Sequence, residues 1–391
     1  MDNAVIVSVA RTPIVKYRGE FAAIPVPELA AIPMKAAIEK IGLDPAQIDE
    51  VILGNIFGSD WGNPARCAVQ KCGWQGVPAI TVDRQCGSAL SALGLAASAI
   101  QTGMADVVLT GGVESYSQQP FYIKQADRAY AAKLDVQPYK TSICGMGDNI
   151  DMISTAENLA EKYHLTREEC DAFALSSHQK AAAAVRNGWF DDQIVPVTVP
   201  QPRGESKEVC ADTCIRFDAS MEAMAKLKVV SNRPNGVVTA GNSSPQNDGA
   251  TAVLVMSAKK AAELGLDVLG IVKEYCTAGC DPTIMGEGPV HSTRKLMERY
   301  GYTIEDFDLV ELNEAFAAQS LACIKALGLN MERVNVEGGA IAIGHPNGAS
   351  GGMLVGRLVY ALQRRKLKRG LVSFCCGGGQ GISLVIENPK A

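Results

Sequence analysis

The chain has 391 residues, of which 47% are hydrophobic and 20% are charged, and its formal net charge at pH 7 is -5. This length exceeds one ordinary domain, and the apolar fraction suffices for a large buried core. The negative charge disfavours a nucleic-acid scaffold, which normally presents a basic face. The sequence has neither a basic leader followed by an apolar segment nor a run of about 18 apolar residues, so we expect an unexported, cytoplasmic protein.

The predicted elements alternate between strands and helices along the chain. AVIVSVA at 4–10, EVILGNIFG at 50–58 and DVVLTGG at 106–112 are typical of strands, and PELAAIPMKAAIEKIG at 27–42 is typical of a helix. The pattern returns in DLVELNEAFA and GLVSFCC near the carboxyl end. Such alternation predicts an α/β fold in which helices cover a mostly parallel sheet.

Two internal repeats indicate a duplicated core. GLDPAQIDEVILGN from Gly42 resembles GYTIEDFDLVELNE from Gly301, and the alignment places Asp49 on Asp308. A glycine-rich turn, a small-residue helix and a strand ending in glycines also occur twice, as CGSALSALGLAASAI with ADVVLTGG and as NGASGGMLVGRLVYAL with RGLVSFCCGGG. Chance similarity between two α/β units explains the matched aspartates less well than duplication does.

The repeats divide the chain into three predicted domains. We predict an N-terminal core domain at 1–116 with a return segment near 245–259, and a C-terminal core domain at 260–391. Residues 117–244 differ in character and form a predicted loop domain over one face of the core, where loops carry function. Its first long helical stretch begins near Ser154 or Thr155, either of which would cap the helix.

The motif VDRQCGSAL places Cys86 between a short strand and a helix rich in small residues. The unpaired N–H groups and partial positive charge of the helix start would lower the pKa of the thiol and favour the thiolate. Cys86 is therefore a candidate nucleophile, and the alternative is a buried structural thiol.

His345 lies in the glycine-rich turn GGAIAIGHPNGASGG, directly before Pro346, which restricts the backbone and suits a rigid turn. The other histidines, His164, His178 and His291, lie in polar surroundings and are predicted to be at the surface. His345 is thus the candidate catalytic histidine, and the alternative is a turn histidine facing solvent.

The motif VSFCCGGGQG ends a predicted strand in two cysteines and three glycines. Glycines leave backbone N–H groups unobstructed, which suits an oxyanion hole at Gly377, and the thiol of Cys375 could move protons there. A disulfide between Cys375 and Cys376 is the less favoured alternative because its ring is strained. Zinc is a further alternative, but Cys210, Cys214, Cys276 and Cys280 match no paired CxxC spacing, so we predict no metal site.

Five motifs, in this order across essentially the whole chain, resemble the thiolase family of acetyl-CoA acetyltransferases and 3-ketoacyl-CoA thiolases: VDRQCGSAL, AGNSSPQNDGA, NEAFA, GGAIAIGHPNGASG and CCGGGQG. The resemblance implies two βαβαβαββ core domains in a five-layered αβαβα sandwich with an inserted loop domain. It also implies a homodimer or a homotetramer, coenzyme A and acyl-CoA as substrates, and no permanently bound cofactor.

The resemblance also implies a reaction, the reversible CoA-dependent thiolysis of 3-ketoacyl-CoA and the condensation of acetyl-CoA to acetoacetyl-CoA. By motif, Cys86 would carry the acyl group, and His345 would activate it and, with a water held by Asn313, bind the enolate oxygen. Cys375 would transfer the α-proton, and the backbone N–H groups of Cys86 and Gly377 would hold the tetrahedral intermediates. Ser244 would contact the pantetheine arm and Arg216 the adenine and phosphates, while Met152 and Phe316 would approach the acyl pocket.

Several positions depart from the family pattern. Asp83 and Ala89 replace asparagine and glycine near Cys86, Asp151 and Ile153 replace histidine and glycine around Met152, and Pro245 follows Ser244. An isoleucine at 153 would narrow the nearby space and favour small acyl groups. A medium- or long-chain thiolase of β-oxidation, a ketosynthase-like condensing enzyme, a non-catalytic CoA-binding protein and a Cys86–Cys375 redox switch remain as alternatives.

Overall fold

The computed structural model describes residues 3–60, 62–124, 135–137, 151–201 and 204–391. Within the predicted loop domain, 125–134, 138–150 and 202–203 therefore lie outside the described residues. The division at 116, 244 and 260 stays a prediction.

Helices and strands alternate through most of the chain. The strands are β1 Ala4–Arg11, β2 Val15–Lys16, β3 Glu50–Gly54, β4 Ala79–Val82, β5 Val107–Ser115, β6 Tyr122–Lys124, β7 Asp135–Gln137, β8 Val197–Pro200, β9 Ser206–Val209, β10 Asn247–Ser257, β11 Gly270–Gly279, β12 Leu309–Leu312, β13 Arg369–Cys376 and β14 Gln380–Glu387. The helices are α1 Val26–Glu39, α2 Pro64–Cys72, α3 Ser88–Gln101, α4 Met152–Lys162, α5 Arg167–Arg186, α6 Met221–Ala225, α7 Ala258–Glu263, α8 Gly288–Tyr300, α9 Ala317–Leu327, α10 Ala340–Ile343 and α11 Ser350–Arg365.

One long sheet has the strand order β12, β13, β14, β11, β1, β10, β5, β3, β4. Its outer pairs β12–β13, β5–β3 and β3–β4 are parallel, whereas the pairs from β13 through β14, β11, β1 and β10 to β5 are antiparallel. The prediction of a mostly parallel sheet is therefore wrong. Pairing direction depends on long-range connections, such as the return of β10 to lie between β1 and β5, and no local sequence pattern encodes it.

The duplication is visible in equivalent contacts in the two halves. Asp49 accepts hydrogen bonds from the backbone N–H groups of Asp106 and Val107 at 2.7 and 2.9 Å, where β5 begins. Asp308 does the same for Lys368 and Arg369, both at 2.9 Å, where β13 begins. Each aspartate thus fixes the start of a strand that carries a glycine run, with Gly111 and Gly112 inside β5 and the glycines 377–379 directly after β13.

Helices α3 and α11 form the central layer between the two halves of the sheet, and they pack against each other and against both halves. Helices α1 and α2 cover the outer face of the N-terminal half, and α8 and α9 cover the outer face of the C-terminal half. Alternate residues of a strand face opposite layers. In β1, for example, Ile6 faces the central layer while Val5 and Val7 face α1. The five layers are therefore helix, sheet, helix, sheet and helix.

The loop segment that follows the core contains α4 and α5. Asp151 caps α4 by accepting the backbone N–H of Ser154 at 2.6 Å. The prediction of Ser154 or Thr155 as the cap is wrong, because the cap lies three residues before Ser154 and four before Thr155. None of the helices in the described ranges is long and apolar enough to cross a membrane.

Candidate active site

Cys86 lies in a tight turn between β4 and α3 that its neighbours hold together. The backbone N–H of Gln85 donates to Asp83 Oδ1 at 2.7 Å, and that of Arg84 donates to Ser88 Oγ at 2.8 Å. Gln85 has φ of 51°, a left-handed conformation that is uncommon for a residue other than glycine. Strained backbone of this kind clusters at functional sites.

Burial raises the pKa of the Cys86 thiol to about 12, and the charges of Glu114 and Asp83 act in the same direction. The backbone N–H groups of Cys86 and Gly377 act in the opposite direction and lower this pKa. The expectation that the helix start would make Cys86 a resting thiolate is wrong, because removal from water outweighs the helix start. Cys86 is a neutral thiol in the free protein and needs a proton acceptor.

His345 follows α10 in a buried turn, with only 4% of its surface exposed. Its Nδ1 lies 2.6 Å from Ser350 Oγ, and that hydroxyl donates to the Pro346 carbonyl at 2.9 Å. Because Ser350 donates its one hydroxyl proton to the Pro346 carbonyl, its oxygen can only accept from His345. Nδ1 must therefore carry the hydrogen and Nε2 the lone pair. Burial lowers the pKa of His345 to about 4, which keeps the imidazole neutral.

Asn313 follows β12 and faces the same imidazole. Its Nδ2 lies 3.3 Å from His345 Nε2, and its backbone N–H donates to Ser373 at 2.9 Å. Its buried Oδ1 has no hydrogen-bond partner among the described residues. Asn313 therefore offers an acceptor beside His345 that suits a donor such as water.

Cys375 is the penultimate residue of β13 and is fully buried against Met285, Ala315, Met152 and Phe316. Burial raises the pKa of the Cys375 thiol well above that of an ordinary thiol, and the nearby Cys86 acts in the same direction as the second largest cause. The side chain of Cys376 points to the opposite face and joins the central core, as strand alternation requires.

A cavity of about 300 Å³ opens at Cys86. Six of the nine predicted site residues line it: Cys86, His345, Gly377, Met152, Ser244 and Phe316. Cys375 and Asn313 are absent from the lining. Cys375 lies directly behind Met285 and Ala315, and Asn313 lies behind His345.

Arg216 is not in this cavity but lines an adjoining one of about 430 Å³, and the two share Pro245 and Gln246. Lys16 and His178 also line the second cavity, and none of the described residues in its lining is acidic. His178 is 3% exposed, so its predicted surface position is wrong. Its Nδ1 accepts the backbone N–H of Arg216 at 3.2 Å, and burial lowers its pKa to about 4.

Of the positions that depart from the family pattern, only some contribute to the wall of this cavity. Met152 and Pro245 line it, whereas Asp151 caps α4 and Ile153 packs into the core around α4 and α9. Ile153 therefore does not narrow the acyl space as expected from the sequence. Ser244 is held at the cavity by its hydroxyl, which donates to the Ala315 carbonyl at 3.0 Å.

Sequence reasoning missed several residues of this site. Ser350 lies five residues after His345 within the same motif, so its spacing on a turn was the available signal. Phe57, Tyr116 and Met285 line the cavity from three separate loops, and no local pattern groups them.

Within the ranges that the structure describes, no group of three or more His, Cys, Asp or Glu side chains is arranged to hold a metal ion.

Comparisons with known proteins agree with this geometry. The sequence model of the thiolase N-terminal domain matches residues 4–259, and that of the C-terminal domain matches 266–388. An acetyl-CoA acetyltransferase of Pseudomonas aeruginosa is 48% identical over 99% of both chains. Two crystal structures each superpose with a TM-score of 0.93 over 99% of both chains: the Bacillus anthracis acetyl-CoA acetyltransferase, 40% identical, and human mitochondrial 3-ketoacyl-CoA thiolase, 36% identical. The chain therefore belongs to the thiolase family.

Proposed function

We propose that this thiolase is an acetyl-CoA acetyltransferase, which condenses two acetyl-CoA into acetoacetyl-CoA and catalyses the reverse, CoA-dependent thiolysis. One observation carries the proposal: a single cavity of about 300 Å³ joins Cys86, His345 and Gly377, with Cys375 directly behind its wall. A small cavity walled by Phe57, Met285 and Phe316 suits a short acyl group. The relative from Pseudomonas aeruginosa supports the same substrate.

In the first half-reaction, Nε2 of His345 accepts the proton of the Cys86 thiol. The sulfur then attacks the thioester carbonyl, and the backbone N–H groups of Cys86 and Gly377 receive the developing oxyanion. The C–S bond to coenzyme A breaks, the leaving thiolate takes the proton of the Cys375 thiol, and the acyl group remains on Cys86. Cys375 is then a thiolate, and His345 keeps the proton from Cys86. The neutral imidazole described above is the form that this step requires.

In the second half-reaction, the thiolate of Cys375 removes the α-proton of a second acetyl-CoA. The thioester oxygen of the enolate accepts hydrogen bonds from the protonated Nε2 of His345 and from a water held by Asn313. The enolate carbon attacks the acyl carbonyl on Cys86, and the C–S bond to Cys86 breaks to release acetoacetyl-CoA. The Cys86 sulfur takes its proton back from His345, and Cys375 keeps the α-proton. Thiolysis runs through the same steps in reverse, with Cys375 as the acid.

The substrate's coenzyme A would extend from the acyl cavity past Pro245 into the adjoining cavity. Ser244 is placed to contact the pantetheine arm. Arg216 and Lys16 supply positive charge for the phosphates, and the planar guanidinium also suits an adenine ring. No permanently bound cofactor is required by these steps.

We also propose a homo-oligomer, either a dimer or a tetramer, in a bacterial cytoplasm. The support for assembly is an apolar patch on the β6–β7 pair, where Phe121 is 71% exposed and Tyr122, Ile123 and Val136 are about half exposed. Contiguous exposed apolar side chains of this kind mark interaction surfaces.

The test is CoA-dependent thiolysis of 3-ketoacyl-CoA substrates with acyl chains of about four to about sixteen carbons, because a small cavity should discriminate between these lengths. The Cys86→Ala variant is the negative control. We expect activity on acetoacetyl-CoA that falls steeply with chain length and disappears in the variant. A broad or long-chain profile would reject the acetyl specificity, and equal activity in Cys86→Ala would reject the proposed nucleophile.

A further inference from the structure

Glu114, at the penultimate position of β5, is a fully buried carboxylate that binds two loops at once. Its Oε1 accepts the side-chain amide of Asn55 at 3.0 Å and the backbone N–H of Phe57 at 3.2 Å. Its Oε2 accepts the backbone N–H groups of Ile56 at 3.1 Å and Gly348 at 3.0 Å. One side chain thus joins the loop after β3 to the turn that contains His345.

Both loops contribute walls of the acyl cavity. Phe57 lines it on one side, and Asn347 lines it next to His345 on the other. Asn347 Nδ2 also donates to the hydroxyl of Tyr116 at 2.8 Å, and the ring of Tyr116 packs edge-on against Phe57 with centroids 4.7 Å apart. The cavity wall and the His345 turn are therefore connected through Glu114 and through this aromatic pair.

The turn that contains Gly348 packs too closely against β5 for side chains at the contact. A Cβ on Gly348 would lie 2.8 Å from Glu114 Oε2, and one on Gly112 would lie 2.0 Å from the Gly348 carbonyl oxygen. The turn is consequently pressed against β5 on one side and held by the carboxylate on the other. A shift of Gly348 would move the segment that orients the His345 ring.

No cation forms an ion pair with Glu114 within the described part of the chain. All four hydrogen-bond partners of Glu114 among the described residues are N–H donors, so each oxygen must accept two hydrogen bonds. Burial raises the pKa of Glu114 to about 8, while the N–H donors act in the opposite direction and favour the ionised form. The ionised carboxylate can accept all four hydrogen bonds, whereas a glutamine would turn an NH₂ group toward two of the donors. The arrangement therefore requires an acid of this length.

We propose that Glu114 is a positioning residue for the thiolase reaction, holding the His345 turn against the Phe57 wall so that Nε2 faces Cys86. The inference rests on the proposed function and adds a residue that does not itself touch the reacting atoms. It assigns to Glu114 an effect on the chemical step rather than on substrate binding, because its contacts are to the loops and not to the coenzyme A path.

The test compares Glu114→Gln with Glu157→Gln. Glu157 is a matched control because it is also buried and accepts the backbone N–H groups of Val237 and Val238, but it lies outside the acyl cavity. We expect Glu114→Gln to lower kcat for acetoacetyl-CoA thiolysis at least about 10-fold with KM within about twofold, as loss of an outer hydrogen-bond partner typically does. Glu157→Gln should retain wild-type kcat.

A second readout does not depend on the substrate. The rate at which iodoacetamide alkylates Cys86 at neutral pH reports proton acceptance by His345, and we expect it to fall in Glu114→Gln and not in Glu157→Gln. Gly348→Ala places a methyl group against the same carboxylate from the side of the turn, and it should lower both kcat and the alkylation rate. This variant replaces Glu114→Gln in the test if Glu114→Gln does not fold. Unchanged kcat and alkylation in a folded Glu114→Gln or Gly348→Ala protein would overturn the proposal. A wild-type protein without thiolase activity would instead reject the proposed function, while the alkylation comparison would still test the positioning.

Discussion

Burial makes both members of the Cys86–His345 pair neutral in the free protein, because it raises the pKa of the thiol and lowers the pKa of the imidazole. A neutral thiol is a weak nucleophile, so reaction depends on moving one proton to Nε2 as the substrate arrives. Nε2 can accept that proton only if it carries the lone pair. Ser350 ensures this by accepting the Nδ1 hydrogen at 2.6 Å.

The variant Ser350→Ala tests this arrangement. It removes the acceptor for Nδ1–H, so the ring loses its fixed tautomer and orientation, and we expect kcat for thiolysis to fall roughly 10- to 100-fold. Ser350→Thr keeps the hydroxyl and should recover part of the activity. The measurement is steady-state thiolysis of acetoacetyl-CoA, and similar kcat values for the alanine and threonine variants would contradict the role.

His345 also makes stability depend on pH. Its pKa is about 4 in the folded protein and near 6.5 when unfolded, so the unfolded chain binds the proton first as pH falls. The contribution of the neutral His345 to the free energy of unfolding is fully present above about pH 6.5. It is lost as the pH falls toward 4, and the loss is at most about 3 kcal/mol.

We therefore expect wild type to lose thermal stability between pH 7 and pH 4 more steeply than His345→Asn. His178 titrates in the same direction but is present in both proteins, so the comparison isolates His345. Parallel melting-temperature profiles for the two proteins across this range would show that His345 is not held neutral.

At the scale of helices and strands, the positions of the proposed nucleophile and of the proposed catalytic histidine depend on the central helices. Cys86 precedes α3, and the His345 turn leads into α11. The two helices touch so closely that a Cβ on Gly351 would lie 2.3 Å from the backbone nitrogen of Leu90. Small residues at this crossing thus set the distance between the segments that carry the nucleophile and the base.

Gly351→Ala should separate α3 from α11. Because backbone atoms cannot give way as a flexible side chain can, we expect a loss of about 1–3 kcal/mol in stability together with reduced kcat. Gly76→Ala is the matched control, since a Cβ there meets nothing within 4 Å. The measurements are thermal unfolding and thiolysis of both variants. Equal stability and equal kcat in Gly351→Ala and Gly76→Ala would mean that α11 can shift without affecting folding or catalysis.

The elements that the sequence predicts well are those with a strong local signal. The strand at Ala4–Arg11, the helix after Cys86 and the paired Asp49 and Asp308 all carry such a signal, and the structure confirms them. Strand direction, the burial of His178 and the cap at Asp151 depend on distant segments, so local patterns missed them. The contacts of Glu114 with Gly348 join residues 234 positions apart, a distance at which no motif can be recognised.

At the scale of the whole molecule, the sheet joins two similar halves through the β1–β11 pair. The loops that carry the proposed catalytic residues Cys86 and His345 lie where α3 and α11 begin. The β6–β7 pair forms a separate two-stranded sheet that carries apolar side chains into solvent. Phe121 precedes this pair and, with Ile123, gives it a hydrophobic surface that the described residues of the chain do not cover. Burying large aromatic and aliphatic side chains is the main source of energy in most subunit contacts.

The proposed assembly can therefore be tested by replacing Phe121 and Ile123 with serine in one variant. We expect wild type to have two or four times the chain mass of 41.4 kDa by light scattering after gel filtration, and the variant to dissociate at lower concentration. Met104→Ser is the control, because Met104 is 83% exposed but lies in the turn after α3, away from β6 and β7. A wild-type monomer would reject the oligomer, and an assembly unaffected by the double substitution would place the subunit contact on another surface.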